Sequence, residues 1–323
     1  MRRLWCAVVL AVVASTTSAG AQNFPSRPIT IIVPTPAGGA TDAVARVLAE
    51  RMRTSLGQPV LVENVAGASG TLGTGRTVRS APDGYTIVIG GWAFNVLNGA
   101  IFTLPYDVAK DFEPVAEVER HAFMIAGKKE LAAKDLKELI AWLKANPEQA
   151  TFGTTGAGGI STVGAVFFQR LSGTKLRLVP YRGLSVAMQD LVAGQIDLMI
   201  DFPATVLPLA RAGSIKAYAV TANSRLPSAP EIPTAEEAGL PGFQMTSWLA
   251  FFAPKGTPKP VIDALNAATV EALADPVVRR RFADLGADIP PREAQTPEAL
   301  AALQAAEIER WWPIIKAAGI KAN

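Results

Sequence analysis

Cysteine and histidine are almost missing from this chain of 323 residues: Cys6 and His121 are the only ones. Cysteine chemistry and zinc sites built from Cys and His clusters are thereby excluded. His121 has no Gly-x-Ser-x-Gly elbow to serve, and it lies where the chain is expected to cross between lobes, away from the loops discussed below. No Gly-Lys-Ser/Thr follows a glycine loop, and the glycine spacing does not fit a dinucleotide fingerprint, so neither nucleotide motif is present. Long basic runs are also lacking. Arg279-Arg280-Arg281 is the densest and is flanked by acids, so it reads as a solvated helix face, and nucleic acid is not an implied partner. These gaps leave little for an enzyme to work with; neither a cofactor nor a metal is expected.

Long hydrophobic runs are confined to the start. Residues 4–14 are apolar, after the basic pair Arg2-Arg3 and before a small, polar stretch ending in Ala19-Gly20-Ala21. Eleven residues are too few to span a bilayer, which needs about 20. The pattern is a secretory signal peptide over 1–21, cleaved after Ala21, so periplasmic export is expected. Cys6 sits within the apolar run, which argues against a lipid anchor. Of the 31 basic residues Arg2 and Arg3 leave with the signal, so 29 face 28 acids and the mature net charge is +1. With 49% hydrophobic and 18% charged residues, the remainder is ordinary globular composition, large enough to bury a core without disulfides.

The pattern of the mature chain is strand, helix, strand, helix, strand, repeated. Residues 29–33 form a β-branched run, followed by the loop Thr35-Pro36-Ala37-Gly38-Gly39-Ala40 and a helix from Thr41-Asp42 to Leu56, ended by Gly57. Strands are predicted at 59–63 and 86–89, with a Gly/Ser/Thr loop at 67–75. The rhythm restarts with strands at 123–126, 151–154, 176–179, 196–200 and 215–220. A second glycine loop, Gly156-Ala157-Gly158-Gly159, precedes a helix at 162–171. A strand at 248–253 and three helices close the chain. The expected architecture is α/β with two lobes, each a mostly parallel sheet flanked by helices. Residues 22–122 begin lobe one, 123–222 form lobe two, and 223–323 return to lobe one.

Both glycine loops follow a strand and open a helix. The first amides of a helix are unpaired and carry a partial positive charge, and glycine lets an anion approach them. Such loops lie at the carboxyl ends of strands, where open α/β sheets bind ligands. With no cation in either loop, a carboxylate fits better than a polyphosphate.

The ordered set of segments resembles the Bug family, the periplasmic solute-binding receptors associated with tripartite tricarboxylate transporters. The resemblance is carried by Arg27-Pro28-Ile29 and the loop through Asp42, by Glu63-Asn64 and the glycine loop after it, and by Ala81-Pro82-Asp83-Gly84-Tyr85. Further on it is carried by Val179-Pro180-Tyr181-Arg182-Gly183, by Gly194-Gln195-Ile196-Asp197, and by Ala253-Pro254-Lys255-Gly256-Thr257-Pro258. It implies a Venus-flytrap fold of the type II periplasmic kind. A small organic carboxylate is held by Ala37, Gly38, Gly39, Thr41 and Asp42 on one side. Thr154, Thr155, Gly158 and Gly159 meet it on the other, with Asp201 at a strand end. The partners implied are the membrane subunits of a secondary transporter, and the receptor is expected to be a monomer. A periplasmic sensor feeding a signalling protein stays open as the alternative.

Three positions depart from the family pattern. The strand end reads Gly90-Gly91-Trp92 where hydroxylated residues are common. Thr162 stands where histidine is common, and Phe202 where asparagine is common. The expectation is a ligand with an aromatic or apolar body near Gly91, stacking on Trp92 or Phe202, with Tyr181 beside it.

Overall fold

The computed structural model describes residues 24–156 and 159–321. The signal segment and its cleavage point lie outside the described residues, as do Ala157 and Gly158. The chain runs β1 (Ile29–Val33), α1 (Ala40–Leu56), β2 (Val60–Asn64), α2 (Thr71–Val78) and β3 (Thr86–Gly91). A π-helical turn, Ala93–Leu97, continues as α3 (Asn98–Ile101) and leads to β4 (Phe112–Ala122). Then come β5 (Met124–Lys128), α4 (Leu136–Ala145), β6 (Thr151–Thr154), α5 (Ile160–Ser172), β7 (Arg177–Pro180), α6 (Leu184–Val192), β8 (Leu198–Asp201), α7 (Pro203–Arg211) and β9 (Ile215–Val220). The chain returns through β10 (Thr246–Pro254) and ends with α8 (Lys259–Ala274), α9 (Pro276–Asp284) and α10 (Pro297–Ala317).

Two five-stranded sheets result, ordered β2-β1-β3-β10-β4 and β7-β6-β8-β5-β9. With the one antiparallel strand of each set aside, the order is the same in both: second, first, third, fourth. In each, four strands run one way, and the fifth is the first strand after the chain has crossed from the other sheet: β10 in one, β5 in the other. β1 forms because Ile31 and Ile32 are both fully buried, one on each face of the sheet, the environment that favours β-branched residues. α1 turns Val44, Leu48 and Met52 inward and stops at Gly57, whose left-handed φ of 66° lets its N–H reach Arg53 O at 3.0 Å.

Two elements escape the sequence pattern. β4 is eleven residues long yet carries Glu113, Glu117, Glu119, Arg120 and His121. α7 contains Pro208 inside it and opens on Pro203.

The two crossings are tied together. Phe123, between β4 and β5, donates its N–H to Thr221 Oγ1 at 2.9 Å and accepts from Thr221 N–H at 2.8 Å. Thr221 follows β9; its hydroxyl reaches Met245 O at 2.6 Å, and Met245 N–H reaches Thr221 O at 3.0 Å just before β10. An apolar cluster backs this seam. Trp311 of α10 meets Phe167 of α5 edge to face, with centroids 4.9 Å apart, and Phe167 stacks on Phe243 at 5.3 Å. α10 is anchored to the first sheet's helices by Gln304 Nε2, which bridges Asn95 O and Val108 O at 3.0 and 2.8 Å, and by Trp312 Nε1 on Val96 O at 2.9 Å.

Candidate functional site

The loop before α1 is shaped by a carboxylate. Gly38 has φ +84°, and its N–H donates to Asp42 Oδ2 at 2.8 Å. Arg46 Nε donates to the same oxygen at 3.0 Å, and Asn64 Nδ2 donates to Oδ1 at 2.9 Å and to Thr35 O at 3.1 Å. These donors, Arg46 first, hold the buried Asp42 carboxyl down at about 2. Gly39 is the N-cap of α1 without a side-chain cap. The first rung of the helix is Ala43 N–H to Gly39 O at 2.9 Å, so the amides of Ala40 and Thr41 have no partner within the helix. Pro36 through Ala40 are exposed.

The second loop is shaped by hydroxyls. Thr155 N–H donates to Ser161 Oγ at 2.9 Å, and the two hydroxyls lie 3.0 Å apart. Thr162 Oγ1 donates to Gly156 O. Gly159 is again an N-cap without a side-chain cap, and it opens α5 at Ile160.

Both helix starts face one cavity of about 350 Å³. Ala40 and Thr41 line it from α1, and Ile160 lines it from α5. Its walls are Phe94 and Leu249 from the first sheet's side, Phe202 from the end of β8, and Leu285. A groove of about 490 Å³ between α8 and α10 is larger but involves the first sheet's elements alone and is ringed by Lys255, Lys259, Asp263 and Glu298; only the smaller cavity receives helix starts from both halves.

The cavity also holds Glu119 and His121, two apart on β4 and so on one face of it. His121 Nε2 pairs with Glu119 Oε1. His121 is 15% exposed at its side chain; burial disfavours its charge, but Glu119, helped by Gly286 and Asp288, outweighs this and raises its pKa above the ordinary value. The His121 ring meets Phe202 edge to face at 5.2 Å. Glu119 Oε2 is buried without a hydrogen-bond partner among the described residues.

Of the residues expected from sequence, Thr41 and Phe202 line this cavity. Ala37, Gly38 and Gly39 form the exposed turn leading to it. Asp42 positions that turn, its oxygens already engaged by three residues. Thr155, Gly159 and Thr162 build the second turn, while Gly158 lies outside the described residues. Five expectations are corrected. Trp92 is fully buried, edge to face with Trp311 at 5.1 Å, so its ring is a core ring. Gly91 gives its amide to Asn95 Oδ1 at 3.0 Å, and a Cβ there would collide with Trp248 O; glycine is required by packing. Tyr181 points its hydroxyl at Asp190 Oδ2, 2.7 Å away on α6. Thr154 is buried and turns its hydroxyl toward Val179 O. Asp201 is buried too, its carboxylate on Phe202 N–H at 2.7 Å, and burial pushes it up to about 6. Sequence reasoning passed over Glu119 and set His121 aside as lying away from the loops; His121 does sit at the crossing, but it lines the same cavity as the helix starts. Nothing marked β4 as a strand, and the i, i+2 spacing of the pair was the available signal.

Among the described residues no group of three or more His, Cys, Asp or Glu side chains could hold a metal ion. No described helix is long and apolar enough to cross a membrane. The arrangement can hold an anion on neutral donors beside an apolar body.

Known proteins share this build. MatC of Rhodopseudomonas palustris, solved with bound malate, is 40% identical and superposes with a TM-score of 0.76 over 90% of this chain and 100% of that one. A second R. palustris protein, solved with adipate, is 31% identical, with a TM-score of 0.77 over 93% and 100% of the two chains. Protein BugT of Bordetella pertussis is 35% identical over 97% of this chain and 96% of its own. The sequence model of the tripartite tricarboxylate transporter family receptor (TctC) matches residues 44–320. Solute-binding proteins rather than enzymes make up this group, and the chain, with its paired α/β sheets and their shared cleft, belongs to the TctC family of tripartite tricarboxylate transporter receptors.

Proposed function

We propose that the chain is an exported periplasmic receptor that closes on a small organic carboxylate and presents it, as a monomer, to the membrane subunits of a secondary transporter. One observation carries the reading: uncapped helix starts from both halves, α1 and α5, open on the same cavity. A carboxylate seated there meets free amides and the positive ends of two helix dipoles without needing a cation. Gly38, Gly39 and Thr41 would grip it from one side, and Thr155, Gly159 and Thr162 would shape the grip from the other. The malate and adipate bound to the two R. palustris relatives support this class of ligand.

Phe94 and Phe202 line the same cavity and suit an apolar or aromatic body, the part of the expectation that survives the loss of Trp92. Residues 22–122 with 223–323 are taken to swing as one lobe against 123–222, bending at Phe123, Thr221 and Met245. A ligand that touches both lobes favours the closed form by its differential affinity. The leading 21 residues are read as the signal that directs export.

A thermal-shift screen of the mature protein against mono-, di- and aromatic carboxylates tests the proposal, since ligands that bind only the folded state raise its melting point. At least one carboxylate should shift the midpoint in a concentration-dependent way and be recovered unchanged. A screen in which amines or sugars stabilise and no carboxylate does would overturn it.

A further inference from the structure

The cavity's polar content does not end at the helix starts. In the same lining lies a carboxylate with one oxygen satisfied and the other not. Glu119 is 3% exposed. Its Oε1 is taken by His121 Nε2, while its Oε2 is buried with no partner among the described residues. Buried acceptors are normally paired, because leaving one unpaired costs the desolvation of that group. Here the unpaired oxygen belongs to a residue lining the cavity that spans the two sheets. Its neighbours in the cavity do not relieve it. Phe94, Phe202, Ile160, Leu249 and Leu285 are apolar, and the Trp248 indole N–H, buried in the same lining, is not bonded to it and has no partner of its own among the described residues. The lining hydroxyls of Thr41, Thr205 and Ser247, the last opposite His121 in the β4–β10 ladder, make no hydrogen bond to this oxygen.

The oxygen is also held in place. His121 fixes Glu119 from the same face of β4, and His121 is itself wedged by the Phe202 ring at 5.2 Å. Phe202 belongs to the other sheet's half, so the acceptor is set at the seam where closure brings the halves together. A fixed acceptor of this kind asks for a donor, and a carboxylate without one would leave it unpaired on being buried.

Building on the carboxylate-receptor reading, we infer that Glu119 Oε2 is a specificity-determining acceptor, selecting carboxylates that carry a hydrogen-bond donor, a hydroxyl or an ammonium group, on the body remote from the gripped carboxylate. His121 acts through Glu119 as a positioning residue. The helix starts then read the charge that all such acids share, and Glu119 reads the group that separates them. A site built to hydrogen-bond a substituent rejects the analogue lacking it far more strongly than an apolar pocket rejects a change of size.

Matched pairs that differ by one donor provide the test: succinate against malate and aspartate, and benzoate against 4-hydroxybenzoate, titrated calorimetrically into the mature protein. In the pair that fits, the donor-bearing acid should bind roughly tenfold or more tighter, the range of a hydrogen bond to a charged group. Comparing malate with aspartate then tells hydroxyl from ammonium. Glu119→Ala should collapse that ratio toward one, with an unchanged circular-dichroism spectrum and cooperative melting showing that the variant is folded. A wild-type protein that binds succinate or benzoate as tightly as their donor-bearing partners overturns the inference and leaves the receptor reading standing. Failure of every carboxylate to bind the wild type overturns the receptor reading and the inference with it.

Discussion

The two glycine turns are built to the same plan with different chemistry. The turn before α1 is held by an ionised carboxylate, Asp42, with Arg46, Asn64 and the Gly38 amide around it. The turn before α5 is held by the neutral hydroxyls of Ser161, Thr155 and Thr162. Both leave a helix start without a side-chain cap, which is the shared requirement. The contrast teaches that the same uncapped backbone can be held by a charged or by a neutral set of side chains. A further asymmetry is steric. A Cβ on Gly39 would meet nothing nearer than Pro36 O at 3.5 Å, whereas one on Gly159 would collide with Thr155 Oγ1 and lie 2.8 Å from Thr155 O.

Gly39→Asp tests the backbone claim most severely. Its φ of −80° and ψ of 170° suit any residue, and aspartate is a favoured N-cap, so the melting point should hold or rise. Carboxylate affinity should nevertheless fall by roughly 100-fold or more, because the new charge occupies the anion's place. A variant that binds normally in a calorimeter would detach the site from this turn. Gly159→Ala should cost about 2 kcal/mol in urea unfolding through overpacking, while Gly39→Ala stays within about 0.5 kcal/mol. Equal costs would break the steric asymmetry.

Two buried acids extend the comparison. Asp42 is held down at about 2 and Asp201 is pushed up to about 6. For Asp201 the folded value lies above the unfolded one, near 3.9. Stability is therefore lost as pH rises between these values, and the deficit is constant above about 6. Asp201→Asn should accordingly stabilise the protein at neutral pH by about 1–3 kcal/mol, an advantage that vanishes below about pH 4. Asp42 has the opposite sign: its contribution is present above its unfolded value and is lost only as pH falls through about 2. Asp42→Asn should thus cost about 1–2 kcal/mol, evenly across neutral pH. Ser161→Ala, which frees the Thr155 amide in the uncharged turn, should cost about 1 kcal/mol at every pH. Chemical unfolding over a pH series separates these patterns.

Much of this was legible in the sequence, for physical reasons. Strands buried on both faces, such as β1, announce themselves as β-branched runs, and helix starts and stops were marked by Gly39, Gly57 and Gly159. The turn residues could be named because glycines between a strand and a helix mark the turn that joins them. β4 was invisible because its charges break alternation; ion pairs such as Arg120 with Glu117, at 2.7 and 2.6 Å, make that pattern tolerable in the fold. With β4 went Glu119 and His121. Trp92 was misread because an aromatic after a strand can face a cleft or a core, and the choice is made by Trp311, more than two hundred residues later. Tyr181 was decided by Asp190, whose partner no local pattern discloses.

The seam at Phe123, Thr221 and Met245 bears on how such a clamp can move. A lone strand linking two bodies can bend, swivel and shift lengthwise. Two strands riveted at a shared threonine lose the swivel and the lengthwise slip, since either would shear four short hydrogen bonds at once. What survives is a single bending coordinate, like a door on two pins. If the halves close on a carboxylate as proposed, the rims of the cleft would therefore meet in the same alignment on every closure.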